Sequence, residues 1–425
     1  MSKPIKILLL ALSTLIVLFT VAGGLGVRAA GGDGAYRQLQ VYDEVLTRIR
    51  SEYVEEPNMT QVTDGALHGL LESLDANSSY LTPAEYKSYK ERKGTAKAGI
   101  GATLSKRFGY AAVISVIPGG PADKAGLEDS DILEAIAGKS TRDMSLAEIR
   151  TVLSGEPGST ILVSVVRARR VEPQKITLTR DAVKIPPASE RMMEDGVGYI
   201  KLDALPKGMS QEVAARVKSL QHAGAKKLVL DLRNVSEGDE SEGIALANLF
   251  LSKGTITYLQ GQKYPRETFT ADPQKTLWTG PLAVLVNRGT AGAAEIAAAA
   301  ILDNARGDVV GDKTFGVGSV QKLIEIPDGS ALILSVAKYY EPNGKAIQDA
   351  AVTPSVLVAD ASDDSVNPDD DNAAPPVEEP KKETPKEDLQ LQKALETLKK
   401  GTQKAEAEAP AAGQPPMAQP AGVPR

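Results

Sequence analysis

The alternation of apolar and polar positions divides the chain into four stretches. Leu39, Tyr42, Val45, Leu46, Ile49 and Tyr53 recur at helical spacing. D-G-A-L-H-G-L-L-E-S-L-D (64–75) is a second amphipathic run, and S-S-Y-L-T-P-A-E-Y (78–86) opens a third helix, with Thr82 as N-cap and Pro83 in the first turn. These runs predict a helical segment over 35–94. From 97 to 181 the pattern changes to short strands broken by glycine and proline. V-I-S-V-I-P-G-G-P-A-D-K-A-G-L (113–127) and D-I-L-E-A-I-A-G-K-S (131–140) read as strand, turn, helix and strand. S-L-A-E-I-R-T-V-L-S-G (145–155) is a helix capped by Ser145 or Asp143, and I-L-V-S-V-V-R (161–167) is a further strand.

Between 183 and 358 strands and helices alternate, which predicts an open α/β sheet. G-V-G-Y-I-K-L (196–202), K-L-V-L-D-L (227–232) and Leu282–Val286 are the strands; Gln211–Ala223 and Ala293–Asp303 are the helices. Beyond Ala359 the chain turns acidic and proline-rich, a composition that predicts disorder. One short amphipathic helix, marked by Leu389, Leu391, Ala394, Leu395 and Leu398, interrupts this 359–425 tail before a low-complexity end.

At 425 residues the chain has room for two or three domains, and its 42% apolar content supports a sizeable core. A net charge of −6 and a pI near 5.4 carry no nucleic-acid signature. Lys3 and Lys6 precede an apolar run from Ile7 to Val27, and Val27-Arg28-Ala29 before Ala30 fits a small-residue cleavage site. Residues 1–30 are therefore expected to export the chain. Two fates fit: a cleaved signal peptide with a periplasmic product, or a membrane anchor, since about 20 apolar residues can span a bilayer. There is no cysteine, which excludes disulfides and an acylated N-terminal Cys. No pattern calls for a cofactor or a metal.

Two segments carry the candidate chemistry: V-L-V-N-R-G-T-A-G-A-A-E-I-A-A-A-A-I-L-D (284–303) and V-V-G-D-K-T-F-G-V-G-S-V-Q (309–321). Together they resemble the catalytic region of the C-terminal processing peptidases, or tail-specific proteases, which read roughly N-x-x-S-A-S-A-S-E-I and G-x-x-T-F-G-K-G-x-V-Q. Asn287, Glu295, Thr314, Phe315, Gly316, Gly318 and Gln321 hold the register. The resemblance gives the Ser nucleophile position to Gly292 and the Lys base position to Val317. A Ser hydroxyl is a weak nucleophile until a base takes its proton, and neither glycine nor valine supplies such a group. The family's D-L-R-x-N-P-G-G turn, which helps hold the oxyanion, is matched by Asp231, Leu232, Arg233 and Gly238. Val235, Ser236 and Glu237 replace its Asn, Pro and first Gly, and residues 234–241 are expected to be an ordinary polar loop.

The resemblance spans roughly 36–358. It implies an α/β fold with a helical N-terminal arm (35–94), a β-rich PDZ domain with helices (97–181) and an α/β peptidase-like core (183–358). In the PDZ segment, A-G-I-G-A-T-L (98–104) resembles a carboxylate-binding loop, so Gly99, Ile100, Gly101 and Ala102 are the candidate peptide-binding residues. In such domains a peptide C-terminus adds a strand to the sheet while loop N–H groups hold its carboxylate.

Three functions follow as expectations. The first is a pseudoprotease, adaptor or regulator that binds peptide or protein C-terminal tails without cutting them. Its partners would include an active peptidase or an envelope protein, with homo- or hetero-oligomers formed through the arm. The second is an active endopeptidase with relocated chemistry, for which Thr290, Ser319, Lys313 and Lys322 are the local candidates. The third is a scaffold that binds no peptide. His68 and His222 lack a neighbouring Ser and Asp in a catalytic arrangement and are expected to be structural or surface residues.

Overall fold

A computed structural model describes residues 33–95, 98–167, 172–359 and 387–408. Residues 1–30, expected to export the chain, most of the acidic tail and the low-complexity end lie outside the described residues. The chain divides into two units, Met1–Leu67 and His68–Arg425. In the first, α1 (Asp33–Glu52) carries an i,i+4 ladder in which Arg48 pairs with Glu44 and Glu52. Its expected apolar face is exposed at Leu39, Tyr42 and Val45. A second helix, α2, spans Met59–Glu72.

The second unit holds three sheets. Ser79–Leu81, expected to lead into a helix, is instead strand β1 and pairs antiparallel with a distant strand. The helix α3 (Pro83–Thr95) begins two residues later. Thr82 caps it as expected: its hydroxyl accepts from Glu85 N (3.3 Å), and Glu85 returns a carboxylate to Thr82 N (2.8 Å).

The PDZ sheet has the order β2 (Ala102–Arg107), β3 (Tyr110–Val116), β4 (Ile132–Ile136), β6 (Thr160–Val166), β7 (Gln174–Thr179), with β5 (Lys139–Ser140) beside β4. The short helix α4 (Pro121–Lys124) follows β3, and α5 (Leu146–Leu153) is capped by Ser145, whose hydroxyl accepts from Glu148 N (3.1 Å).

The central sheet runs β17-β14-β13-β10-β9-β8: Val356–Leu357, Asp308–Gly311, Leu282–Val286, Lys227–Asp231, Val197–Lys201 and Ser189–Met192. All its pairs are parallel except β8 with β9. The near-continuous apolar runs arise because both faces are covered. Leu228, Leu230, Leu282, Val284 and Val286 point to one face, where helices α6 (Met209–His222), α7 (Glu240–Asn248) and α8 (Ala293–Asp303) pack. Val229, Ala283 and Leu285 point to the other.

That second face is closed by α9 (Leu389–Glu408), whose Leu391, Ala394 and Leu398 are buried against it. The short helix expected within the tail is thus a layer of the core. A third sheet joins β1, β16 (Ala331–Tyr340), β11 (Thr255–Gln260) and β12 (Glu267–Thr270), with β15 (Ser319–Glu325) against β16.

Arg233 anchors α9. Its guanidinium bonds both carboxylate oxygens of Asp388 (2.8 and 2.9 Å) and Asp231, which is completely buried and also accepts from Tyr199 Oη (2.6 Å). Arg233→Ala leaves the Asp231 carboxylate without its ion partner, a change of about 3 kcal/mol. Urea denaturation should show that loss, with earlier amide exchange along α9; an unchanged midpoint would refute the anchoring role.

Candidate active site and peptide groove

Parallel strands β10, β13 and β14 end side by side, and the loops leaving their carboxyl ends form one crevice, the usual ligand position in an open α/β sheet. Two asparagines join the first two loops. Asn287 Nδ2 donates to Asn234 Oδ1 (2.6 Å), and Asn234 N donates to Asn287 Oδ1 (3.0 Å). Ala291 N adds a bond to Val235 O (2.9 Å). Gly289 lies so close that an added Cβ would meet Asn234 Oδ1 at 2.4 Å.

After this loop the chain turns sharply into α8 at Gly292, with φ +61 and ψ −120. A strand–turn–helix with a strained residue at the turn is how many hydrolases present a nucleophile. A Cβ placed on Gly292 would meet nothing within 4 Å. The turn has room for a side chain, and glycine supplies none.

Glu295 holds this turn to the third loop. It is fully buried in the first turn of α8, where a carboxylate complements unpaired N–H groups. Its Oε2 accepts from Gly292 N (3.0 Å) and Val317 N (2.8 Å); its Oε1 accepts from Gly316 N (2.8 Å) and the Thr314 hydroxyl. The two positions assigned to nucleophile and base thus converge on one oxygen. The sequence marked Glu295 only as a retained position. Its bridging role depends on the 314–317 loop arriving from β14, which local pattern does not reveal.

Gln321 stands apart from this convergence. Its Nε2 donates to Ser319 Oγ (2.8 Å) and Ser319 O (3.1 Å), and more weakly to Ser335 Oγ (3.4 Å). Ser335 Oγ in turn donates to Asp75 Oδ1 (3.1 Å). The candidates for relocated chemistry are engaged or exposed. Thr290 is fully buried and donates its hydroxyl to Leu232 O (2.8 Å), while Ser319 Oγ accepts from Gln321 and from Asn77 Nδ2 (3.3 Å). Lys313 and Lys322 are exposed. His222 bonds Lys218 O (2.7 Å), and His68 sits 3.5 Å from Glu85 with its ring edge-on to Tyr80.

In the PDZ loop, Gly99 exchanges backbone bonds with Asp181 (3.0 and 3.1 Å), and the carbonyls of Ile100 and Gly101 accept from Ala122 N (2.7 Å) and Ile117 N (2.8 Å). Ile100 fills the PDZ core, and Ala102 begins β2. Gly101 has φ +71, a conformation that favours glycine. These bonds tie the loop to the ends of β3 and β7 and to α4.

The polar loop expected at 234–241 is more constrained than the sequence implied. Helix α7 already begins at Glu240. Gly238 lies so close to Leu205 that a Cβ would meet Leu205 O at 2.5 Å, while Leu205 N bonds Glu237 O (2.8 Å) and Asp239 N bonds Leu205 O (3.0 Å). Ser236 bonds Ser115 through their hydroxyls, and Glu237 Oε2 accepts from Thr103 Oγ1 (3.3 Å). Both partners belong to the PDZ sheet, so Glu237 faces that domain.

Burial pushes the Glu295 carboxyl up to about 7, against the pull of its four donors. A folded-state value above the unfolded one means that this group's contribution is greatest below about pH 4.5 and is lost as pH rises through about 7. The span corresponds to something on the order of 3 kcal/mol. Glu295→Gln should be destabilised overall, because one amide oxygen cannot serve four donors, yet its stability should vary less between pH 5 and pH 8. Melting temperatures across that range test this; parallel curves for the two proteins would contradict it.

Comparison with known proteins agrees with this architecture. The peptidase family S41 profile matches residues 196–358, and a PDZ domain profile matches residues 113–167. The carboxy-terminal processing protease CtpA of Bacillus subtilis is 31% identical over 366 residues, covering 84% of this chain and 78% of that protein. The carboxyl-terminal-processing protease of a Picosynechococcus species is 34% identical over 319 residues, covering 73% and 76%. Among solved structures, the photosystem II D1 C-terminal processing protease superposes with a TM-score of 0.62 at 26% identity, covering 75% of this chain and 92% of that one. Sharing their sequence over most of its length and their PDZ and α/β architecture, the chain belongs to the C-terminal processing proteases of peptidase family S41.

Proposed function

We propose that this chain binds peptide or protein C-terminal tails through its PDZ domain and does not cleave them. One observation carries the reading. The backbone N–H groups of Gly292 and Val317 converge on Glu295 Oε2, and neither residue brings a nucleophile or a base to that point. Losing members of a cooperating catalytic set costs many orders of magnitude in rate. The neighbouring hydroxyls of Thr290 and Ser319 are committed to a backbone carbonyl and an amide side chain. Lys3 and Lys6 ahead of the apolar run support action outside the cytoplasm. An exported, tail-binding and catalytically silent relative would serve as an adaptor or regulator of processing.

The test is turnover of an unfolded protein such as casein by the purified chain from Ala30 onward, beside Thr290→Ala and Lys313→Ala. No cleavage is expected from any of the three. Cleavage that survives purification and drops in either variant would replace this reading with relocated catalysis. The double variant Gly292→Ser, Val317→Lys should gain slow proteolysis, because a side chain at 292 has open space. It should also lose on the order of 1–3 kcal/mol of stability, because the new side chain sits at φ +61 and ψ −120, torsions that side chains rarely adopt.

A further inference from the structure

The turn between β2 and β3 is two residues long, because Arg107 and Tyr110 are register partners. Phe108 and Gly109 make the whole loop, and both have positive φ, +53 and +83. Hairpin turns of this kind favour Asn-Gly, since a bulky residue in the left-handed region is an outlier. Phe108 is also 71% exposed, and no aromatic ring among the described residues is more so. It takes no part in the PDZ core. The sequence therefore bears backbone strain and an exposed apolar ring at one point, and strained residues cluster where something binds.

Two arginines flank the tip. Arg107 Cζ lies 5.3 Å from the centroid of the Phe108 ring. Arg142 Cζ lies 5.8 Å from that of Tyr110, which is half-buried at the base of the hairpin. The stem of Arg142 runs along the turn, where a Cβ on Gly109 would meet its Cγ at 3.6 Å. Thr141 holds that segment in place: its hydroxyl accepts from Ala111 N (3.1 Å) and donates to Leu133 O. Lys106 has its side chain 8% exposed and pairs with Glu72 (2.7 Å). Arg107 and Arg142 are exposed, and neither forms an ion pair among the described residues; Asp143 follows Arg142 without pairing with it. The tip thus joins an exposed ring to two unpaired cations, with an amphipathic ring below them.

We infer that this hairpin tip is a contact with an anionic lipid surface. Phe108 enters the acyl boundary, Arg107 and Arg142 meet lipid phosphates, and Tyr110 lies at the headgroup level, where rings with one polar end collect. Apolar burial and attraction to anionic lipid add in such contacts. A convex two-residue tip suits a bilayer better than a protein, whose stable interfaces bury about 800 Å² on each side. The export expected of residues 1–30 brings the chain beside a membrane. One ring and two cations make a weak contact, so the tip orients a chain held near the bilayer and does not anchor it alone. Lipid contact does not depend on peptide binding, and either can fail without the other.

Phe108→Trp in the full chain keeps an aromatic tip and reports on its surroundings. The chain's single tryptophan, Trp278, is 3% exposed and gives a fixed background that the parent chain measures. The variant is reconstituted into vesicles of phosphatidylcholine alone or of an equal mixture with phosphatidylglycerol. On the mixed vesicles the new indole should emit further to the blue and be quenched by bromine on the lipid tails. Its ratio of inserted to free forms should be on the order of twentyfold higher than on phosphatidylcholine, as for two arginines near an anionic surface. Adding Arg107→Gln and Arg142→Gln should remove that difference, while the parent chain stays unquenched on both vesicles. Water-like emission on both vesicles would overturn the lipid contact and leave a protein surface as the occupant of the tip. Equal insertion on both, or insertion unchanged by the glutamines, would overturn the pairing of arginine with anionic lipid and the proposal with it.

Discussion

The crevice depends on one buried carboxylate. Glu295 has no contact with solvent, and its two oxygens collect three backbone N–H groups and a hydroxyl from two loops that leave different strands. A buried anion is tolerated only when it is fully bonded, and each unpaired buried donor costs about 1–3 kcal/mol. The carboxylate therefore does more than cap α8. It fixes the 314–317 loop against the turn at Gly292, and the crevice keeps its form because moving either loop would strand several donors at once.

Around this point the architecture is arranged in layers. The parallel sheet puts three strand ends side by side, and its alternation sends Leu230 and Val284 to one face and Val229 and Leu285 to the other. Helices close the first face, and α9 closes the second through Leu391, Ala394 and Leu398. The Asp231–Arg233–Asp388 pairing joins α9 to the strand end from which the 234–238 loop departs. Packing far along the sequence thus shapes the rim of the crevice.

Much of this was legible from the residues. Thr82 signalled its N-cap, Ser145 its cap, and the runs K-L-V-L-D-L and Leu282–Val286 their strands. What was hidden depended on partners distant in sequence. Ser79–Leu81 is a strand only because Ala331–Ile333 lies alongside. The helix near Leu391 read as part of a polar tail because neither its packing face nor the ion pair of Asp388 with Arg233 is written locally. Ser236 and Glu237 looked like ordinary loop residues until Ser115 and Thr103 came to meet them.

The turn at Gly292 has an energetic corollary. A residue with a side chain held at φ +61 and ψ −120 would store something on the order of 1–3 kcal/mol of conformational strain, whereas glycine holds the same torsions with little. The elbow and its hydrogen bond to the Glu295 carboxylate persist here without that stored strain. Proteins commonly exchange stability for a strained working residue. Glycine at residue 292 avoids that exchange, so the relaxed elbow adds to the margin by which the fold outlasts its unfolded state.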